Sequence, residues 1–276
     1  MGVLAIQYQS SADSPLLVAL NREEKIDRKA TVPRIQSGRP RMVCGIDTET
    51  GGTWAGVNQC GLFVAVINAP KRSEPLEPRS RGLLCKDLLS MFSVEEAVEH
   101  AVKELESGVY AGCNFLCADQ TSGFAIHGGD DIYTQKLRPG LHVLSENPLD
   151  DVRDARQEYA RRQLTLQRID SAVSFFAIAS RTFARPANAA GKLGLIVRKG
   201  KLATVSSILL SLTEKSPRSV MQYADGSPDV RVYEDVSALL RQVLSTDKAA
   251  KAAAAAKEAK KNLPPEESPD TNKIGE

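Results

Sequence analysis

Short apolar runs separated by turn-forming residues occupy the first seventy residues, and runs of this kind are typical of β-strands. The first two runs, residues 3–8 and 16–21, are separated by turn-forming residues, and together they predict an N-terminal hairpin. Further strands are predicted at 42–47, 53–58 and 62–69. The breaks between these runs are short, so the pattern favours an antiparallel meander.

Helical periodicity replaces the strand pattern over residues 80–105. The first predicted helix covers about residues 80–91, with its apolar residues on one side. The second begins at Ser93, where Glu96 stands at capping-box spacing, and continues with a helical apolar stripe to residue 105. Both stripes are typical of helices that pack on a sheet.

The second half of the chain repeats this order of strands followed by helices. Strands are predicted at 113–119, 123–128, 132–137, 140–146, 194–199, 202–212 and 219–225. Helices are predicted at about 151–168, 172–183 and 233–244. Runs of antiparallel strands with helices between them indicate an α+β fold, in which two stacked sheets sandwiched by helices bury every apolar face.

The composition changes after residue 245. An Ala- and Lys-rich run favours helix but has no apolar stripe, and the final Pro- and Glu-rich residues cannot build a core. We therefore predict one domain over residues 1–245, and a frayed helix with a disordered tail over 246–276.

Charge and cysteine content narrow the class of protein. The 276 residues include 36 basic and 34 acidic side chains, so the net charge of +2 gives no reason to expect a nucleic-acid partner. No basic leader opens the chain and no apolar run approaches about 18 residues, which predicts no membrane insertion. Five cysteines without a CxxC pair favour reduced thiols in a cytoplasm, and they predict no metal site.

Short polar blocks occur in a fixed order along residues 1–245, and together they are specific. The first is Asn21-Arg22-Glu23-Glu24, with Arg28 following it. The later blocks are Gly-Gly-Thr-Trp at 51–54 in a segment that ends at Asn68, Arg-Ser-Arg-Gly at 79–82, and the segments 110–116, 144–147, 204–207 and 223–229. In this order and spacing the chain resembles the NRDE family, also called the transport and Golgi organisation protein 2 family, of the bacterial type. One departure is Glu23, where the family has Asp.

The resemblance implies the four-layer αββα fold of N-terminal-nucleophile hydrolases. In those enzymes the first strand begins with Cys, Ser or Thr, whose own α-amine can act as the base. Family members typically begin Met-Cys, whereas this chain begins Met-Gly. Gly2 has no side chain, so the resemblance does not carry the hydrolytic activity over to this sequence.

Asn21, Arg22 and Glu24 are the first candidates for a ligand pocket. They follow an apolar strand that should end at the same edge of the sheet as Gly2. One interpretation is that Arg22 takes a carboxylate or holds Glu24 in place, while Asn21 presents its amide to ligand or backbone. The other is a buried ion pair that stabilises a turn. The sequence leaves both interpretations open.

Other polar and aromatic residues at strand ends extend the candidate pocket. Trp54, the sole tryptophan, is expected to serve in core or pocket-wall packing. Arg81 belongs to the third block of the resemblance. The remaining candidates are polar residues where oxyanion-type donors would lie, although each also suits a turn: Asn68, Asn114, Ser145 and Asn147.

Three functional hypotheses remain from the sequence. The first is a catalytically degenerate family member that binds a small-molecule ligand, with haem or another metabolite suggested by the resemblance alone. The second is an amidohydrolase acting on a linear amide, with a native Cys at position 2 or a nucleophile elsewhere. The third is a structural or partner-binding protein that uses the Ala/Lys-rich tail. No CxxCH motif attaches haem, and nothing in the pattern defines the oligomeric state.

Overall fold

Two antiparallel sheets face each other in the computed structural model, which describes residues 2–11, 13–187, 193–213 and 216–244. The first sheet has the order β10-β1-β2-β12-β13-β14, with β11 paired to β12. Its strands are β1 (Gly2–Tyr8), β2 (Leu16–Lys25), β10 (Gly140–Leu144), β11 (Arg198–Lys199), β12 (Leu202–Leu212), β13 (Val220–Ala224) and β14 (Glu234–Asp235).

The second sheet is a meander in chain order, interrupted by one helical insertion. Its order runs from β3 to β9. The strands are β3 (Arg34–Gln36), β4 (Met42–Cys44), β5 (Ala55–Asn58), β6 (Phe63–Asn68), β7 (Cys113–Ala118), β8 (Gly123–Gly128) and β9 (Ile132–Lys136). The helices α1 (Arg81–Leu88) and α2 (Val94–Glu106) are inserted between β6 and β7.

Helices cover the outer face of each sheet. α1 and α2 pack on the second sheet, while α3 (Ala155–Thr165) and α4 (Ala172–Phe183) pack on the first. α5 (Ser237–Leu244) adds Leu240 and Val243 to the core between the sheets. This order of layers is the αββα arrangement that the resemblance implied. Among the described residues, no helix has the length and apolar character needed to cross a bilayer.

Strand alternation divides the core into separate layers. Along β1, Leu4 and Ile6 face the second sheet, whereas Val3 and Ala5 face α3 and α4. Since successive side chains of a strand point to opposite faces, one strand serves both layers. The same division holds through the first sheet, and it determines which polar side chains meet at the sheet ends.

Several predicted boundaries are wrong, for reasons of local pairing. β2 does not end at residue 21, because it stays paired with β12 as far as Lys25. The strand predicted at 194–199 shortens to Arg198–Lys199, since Leu195 and Ile196 donate to the carbonyl of Arg185 instead of to a strand. The helix predicted from 233 begins at Ser237, because Glu234–Asp235 pair with β13. β3 was not predicted at all.

The described residues extend to 244, so the predicted tail over 246–276 lies outside them. The single domain over 1–245 stays a prediction. The cysteines within the described part of the chain are free thiols, and Cys44, Cys85, Cys113 and Cys117 are buried in the core under α1 and α2. Free cysteines buried in this way pack as small apolar residues.

The layer between α4 and the first sheet offers a test of this core. Phe175 is fully buried there, and Phe175→Ala should lower the free energy of unfolding by about 3–5 kcal/mol because it leaves a cavity. Val173, on the same helix, is 80% exposed, and Val173→Ala should change stability by less than about 0.5 kcal/mol. Urea unfolding of both variants measures the difference, and equal effects would contradict the layer assignment.

Candidate functional site

The polar end of β2 distributes its side chains between two layers. Leu20 faces the core between the sheets, and by strand alternation Arg22 and Glu24 follow it on that face. Asn21 and Glu23 point the other way, towards the helical layer. The carboxylate of Glu23 accepts two hydrogen bonds from the guanidinium of an arginine on α3. The Asn-Arg-Glu-Glu block is therefore two sets of interleaved side chains.

A groove enclosing about 260 Å³ opens where Arg22 and Glu24 leave the core. Its walls are the end of β2, the turn before β5, the end of β6 and the segment that leads into α1. The charged residues that line it are Arg22, Glu24, Arg28, Asp47, Arg79 and Arg81. Glu23 also borders the groove, although its carboxylate is bound by Arg156.

Asp47 is the acceptor that joins two of these arginines. Its Oδ2 accepts from Nη2 of Arg22 at 3.2 Å and from Nε of Arg28 at 2.6 Å. Its Oδ1 accepts from the backbone amides of Glu49 and Thr50, each at 3.1 Å. Burial alone would raise the pKa of Asp47, but the bonds from Arg28 and the two amides outweigh it and lower that pKa. The carboxylate is therefore ionised at neutral pH.

Arg22 is a nearly buried cation. It is 9% exposed, and its guanidinium carbon lies 4.2 Å from the ring centroid of Trp54, a cation–π distance. Burial lowers the pKa of Arg22 in spite of the opposing fields of Glu24 and Asp47. The guanidinium nevertheless stays charged, because its ordinary pKa lies far above neutrality.

Glycines allow the walls of the groove to come together. A Cβ on Gly45 would lie 2.3 Å from Cη2 of Trp54, so the indole occupies the space that a side chain would need. A Cβ on Gly52 would lie 2.3 Å from the carbonyl carbon of Gly82, and the amide of Thr53 donates to the Gly82 carbonyl at 2.9 Å. The blocks at 51–54 and 79–82 are therefore in direct backbone contact.

The two arginines on either side of Ser80 have different surroundings. Arg81 is the first residue of α1, and its Nη1 donates to the backbone carbonyl of Gly112 at 2.9 Å. No carboxylate of the described chain lies within ion-pair distance of it. Arg79, by contrast, forms an ion pair with Glu104 at 3.0 Å. Arg81 therefore brings the less compensated charge to the groove.

Gly2 lies beside this groove and provides no reacting group. It is opposite Arg22 in the β1–β2 register, and it is buried. A Cβ at this position would point towards the second sheet, 3.6 Å from Ile67, and would lie 3.0 Å from the carbonyl oxygen of Asn21. The strand thus presents residue 2 next to Arg22, but without the side chain that a covalent mechanism requires.

Comparison with known families shows the family of this chain. The model of the family described as Transport and Golgi organisation 2 matches residues 1–185. The chain belongs to the Transport and Golgi organisation 2 family. A Transport and Golgi organization 2 homolog from Mus musculus is 28% identical over 108 residues, an alignment that covers 38% of this chain and 38% of the mouse protein.

Solved structures similar to this family member share its fold. An N-acylethanolamine-hydrolyzing acid amidase ortholog from Caenorhabditis elegans superposes with a TM-score of 0.50 at 14% identity, over 87% of this chain and 97% of that one. A conjugated bile acid hydrolase from Clostridium perfringens gives 0.47 at 11% identity, over 86% and 93% of the two chains. The superposition on the amidase ortholog supports the N-terminal-nucleophile-hydrolase fold that the sequence resemblance implied.

Several candidate residues from the family blocks do line the groove. Arg22, Glu24, Trp54, Asn68 and Arg81 all belong to its walls. Their roles towards a ligand stay predictions, but their meeting at one place follows from the topology. β2 and β6 belong to different sheets, and α1 follows β6 closely in sequence.

Asn21 does not reach the groove. Its Nδ2 donates to the carbonyls of Phe183 at 2.9 Å and Leu195 at 3.1 Å, on the α4 side of the sheet. The expectation that it presents its amide to a ligand is therefore wrong, and the backbone alternative is correct. The physical reason is that Asn21 lies inside β2, where its neighbour Arg22 takes the opposite face.

Asn114, Ser145 and Asn147 form a separate buried network instead of oxyanion donors in the groove. Nδ2 of Asn114 donates to the carbonyls of residues 145, 146 and 147, at 3.0, 3.3 and 3.1 Å. The hydroxyl of Ser145 and the amide of Asn147 both donate to Asp154, the N-cap of α3. These residues hold the turn after β10 in place, and the groove site assigned to them is wrong.

His127 completes this network in its neutral form. Its Nδ1 lies 3.0 Å from Oδ1 of Asn114, which can only accept, so the proton is on Nδ1. Nε2 is then the acceptor for the amide of Leu149 at 3.5 Å. Burial lowers the pKa of His127 to about 4. The histidine is therefore a structural group and not a base for the groove.

Sequence reasoning missed Asp47, the central acceptor of the groove. It was assigned to the end of a strand, although an acidic residue directly before a turn and two glycines is a recognisable loop signal. Its two arginine partners reach it in different ways, and neither contact has a local signature. Arg22 lies on β2 of the other sheet, so the stacking of the sheets brings it to Asp47. Arg28 lies beyond the end of β2, and the pairing of residues 29–31 with 46–48 brings it to Asp47.

The backbone contact between residues 51–54 and residues 79–82 can be tested by adding one methyl group at Gly52. Gly52→Ala would place a Cβ against the backbone of Gly82, so the start of α1 must move. We expect a loss of roughly 1–3 kcal/mol in the free energy of unfolding, as for other overpacked sites. Gly129→Ala is the control, since its Cβ would meet only the Pro70 carbonyl oxygen at 3.5 Å. A tolerated Gly52→Ala would contradict the close contact.

The buried His127 predicts a pH dependence of stability. Its folded pKa of about 4 is below its ordinary value of 6.5, so between these pH values the unfolded chain binds a proton that the folded chain does not. The free energy of unfolding should therefore fall as the pH falls from 6.5 to 4, by roughly 3 kcal/mol from this residue.

The His127→Gln variant, which cannot titrate, isolates this effect. His142 acts in the opposite sense, because its bonds to Asp150 and to the Arg138 carbonyl raise its pKa against burial. The quantity to compare is therefore the slope of unfolding free energy against pH in the wild type and in His127→Gln. Parallel slopes between pH 4 and 6.5 would show that His127 is not buried in its neutral form.

Proposed function

We propose that this family member binds a small molecule in the groove at Arg22 and does not hydrolyse amides through residue 2. The observation that carries the proposal is the pairing of Gly2 with Arg22. The position where the resemblance places a nucleophilic Cys is occupied, in register, by a residue without a side chain. The charged wall beside it is nevertheless fully built.

The other groups that line the groove support binding over covalent catalysis. The hydroxyls of Thr50 and Thr53 donate to Asp47 and to a backbone carbonyl, and Ser80 caps α1. Glu24 accepts from the Lys25 amide at 2.9 Å. No histidine or cysteine is among the described lining residues. The Thr50 hydroxyl faces Asp47, but the lowered pKa of that carboxylate makes it a weak base for activating a nucleophile.

Haem, which the resemblance suggested, does not fit this donor set. A haem iron takes its axial ligand from His, Cys, Met or Tyr. None of these residue types is among the described residues that line the groove. The arginines could hold acid groups, but the groove offers no side chain to the iron. We therefore favour an organic ligand without a metal centre.

The proposal also covers the class of partner and the cellular compartment. The near balance of 36 basic and 34 acidic residues supports a small-molecule partner over nucleic acid. The free cysteines support a reducing compartment such as the cytoplasm. The partner-binding alternative depends on the tail beyond residue 245, which is outside the described chain.

Acylation of the protein tests the chemistry. With amide and thioester substrates, intact-protein mass spectrometry should detect no acyl adduct on the Gly2 form. In Gly2→Cys, once Met1 is removed, the new thiol should be alkylated at residue 2, after the Asn21 carbonyl gives by a few tenths of an ångström. Gly2→Ala is the matched control, because it adds the same Cβ without a thiol.

Two results would oppose the proposal. Hydrolysis by the Gly2 form that disappears in Arg22→Met would mean that the catalytic group lies elsewhere in the groove. Failure of every compound in a metabolite panel to raise the melting temperature would remove the support for binding. A ligand at 100 times its Kd should stabilise the fold by about 2.7 kcal/mol.

A further inference from the structure

The guanidinium of Arg22 has more hydrogen-bond donors than its surroundings use. A guanidinium has five N–H donors. Arg22 uses one of them, to Asp47 at 3.2 Å, and no other acceptor among the described residues lies within hydrogen-bond distance. Asp47 is itself shared, and its bond to Arg28 is shorter at 2.6 Å. Arg22 is therefore a nearly buried cation whose bond to Asp47 is the longer of the two that this carboxylate oxygen accepts from arginines.

Trp54 does not remove this deficit. Its ring interacts with the face of the guanidinium, whereas the N–H donors lie in the guanidinium plane. The indole Nε1 of Trp54 is also buried and lacks an acceptor in the described part of the chain. The wall that Arg22 and Trp54 form together thus has an excess of donors, and a bound acceptor would satisfy them.

The charges that face the groove indicate how negative this acceptor is. Glu23 and Arg79 have partners on other elements, Arg156 and Glu104. The charges left inside are three guanidiniums and two carboxylates, from Arg22, Arg28, Arg81, Glu24 and Asp47. Glu49 approaches Arg28 only at 3.8 Å and is 59% exposed, so solvent screens it. One negative charge would balance the groove.

Resting on the proposed function, we propose that the ligand is an organic monocarboxylate whose acid group binds Arg22 beside Trp54, in the field of Arg81. A planar carboxylate matches the fork of a guanidinium with two parallel hydrogen bonds. A phosphate monoester brings a second negative charge close to Asp47 and Glu24, which would repel it. The rest of the ligand extends along the groove towards Val66 and Ala111.

Trp54 provides a direct readout, because it is the sole tryptophan of the chain and touches Arg22. The probes are octanoate and 4-phenylbutyrate, each paired with its carboxamide, together with phenyl phosphate. We expect the carboxylates to change the fluorescence of Trp54 saturably, with affinity that falls as salt is raised. The carboxamides should bind at least tenfold more weakly.

Variants locate the effect at Arg22. Arg22→Met should weaken carboxylate binding at least tenfold, and Arg22→Lys should weaken it less, since it keeps the charge but loses the fork. Asp47 keeps Arg28 and two backbone amides in both variants, so no buried carboxylate is left unpaired. Arg198→Met, which removes an arginine paired with Asp229 away from the groove, is the matched control and should bind as the wild type does.

The outcomes separate this inference from the proposed function. Equal binding of carboxamide and carboxylate would overturn the inference and leave ligand binding intact. Tighter binding of phenyl phosphate would overturn the choice of carboxylate. Unchanged carboxylate affinity in a folded Arg22→Lys or Arg22→Met protein would overturn the role of Arg22. If no probe alters Trp54 fluorescence and no compound raises the melting temperature, the inference and the proposed function both fail.

Discussion

The contact between Asp47 and the guanidiniums of Arg22 and Arg28 is the interaction on which the groove depends. Asp47 lies on the connection between β4 and β5 of the second sheet, whereas Arg22 lies on β2 of the first sheet and Arg28 follows the end of β2. A single carboxylate therefore joins the ends of the two sheets across the core. Its second oxygen is held by backbone amides, which fixes the turn that carries Trp54 towards Arg22.

Much of the fold followed from the apolar pattern, because the central strands are buried on both faces and the helices on one. Short apolar runs located β1 and β8 almost to the residue, and helical spacing with a Ser93 cap located α2. The predicted boundaries are wrong where pairing with a neighbouring strand determines the end of an element. β2 continues to Lys25 because β12 pairs with it, and the short β3 has no buried alternation of its own.

The sequence indicated which residues belong to the candidate site, but it did not indicate which layer of the fold each side chain enters. Five residues from the family blocks line one groove: Arg22, Glu24, Trp54, Asn68 and Arg81. The family blocks could not distinguish Arg22 from Asn21. These two residues are adjacent in β2, but their side chains enter different layers of the fold. Nor could the blocks show that Asn114 supports a turn. Contacts of that kind arise from the stacking of layers and have no signature in local sequence.

The arginine at position 22 is not explained by stability alone. If Arg22 served stability alone, an apolar side chain over Trp54 would do as well, since replacing a buried ion pair by well-packed apolar groups is often neutral or stabilising. Asp47 would still have Arg28. A guanidinium held at 9% exposure with most of its donors unused is instead what the proposed binding of an acidic ligand would require. Gly2 leaves no side chain at the start of β1, whereas the buried guanidinium of Arg22 is in place opposite it.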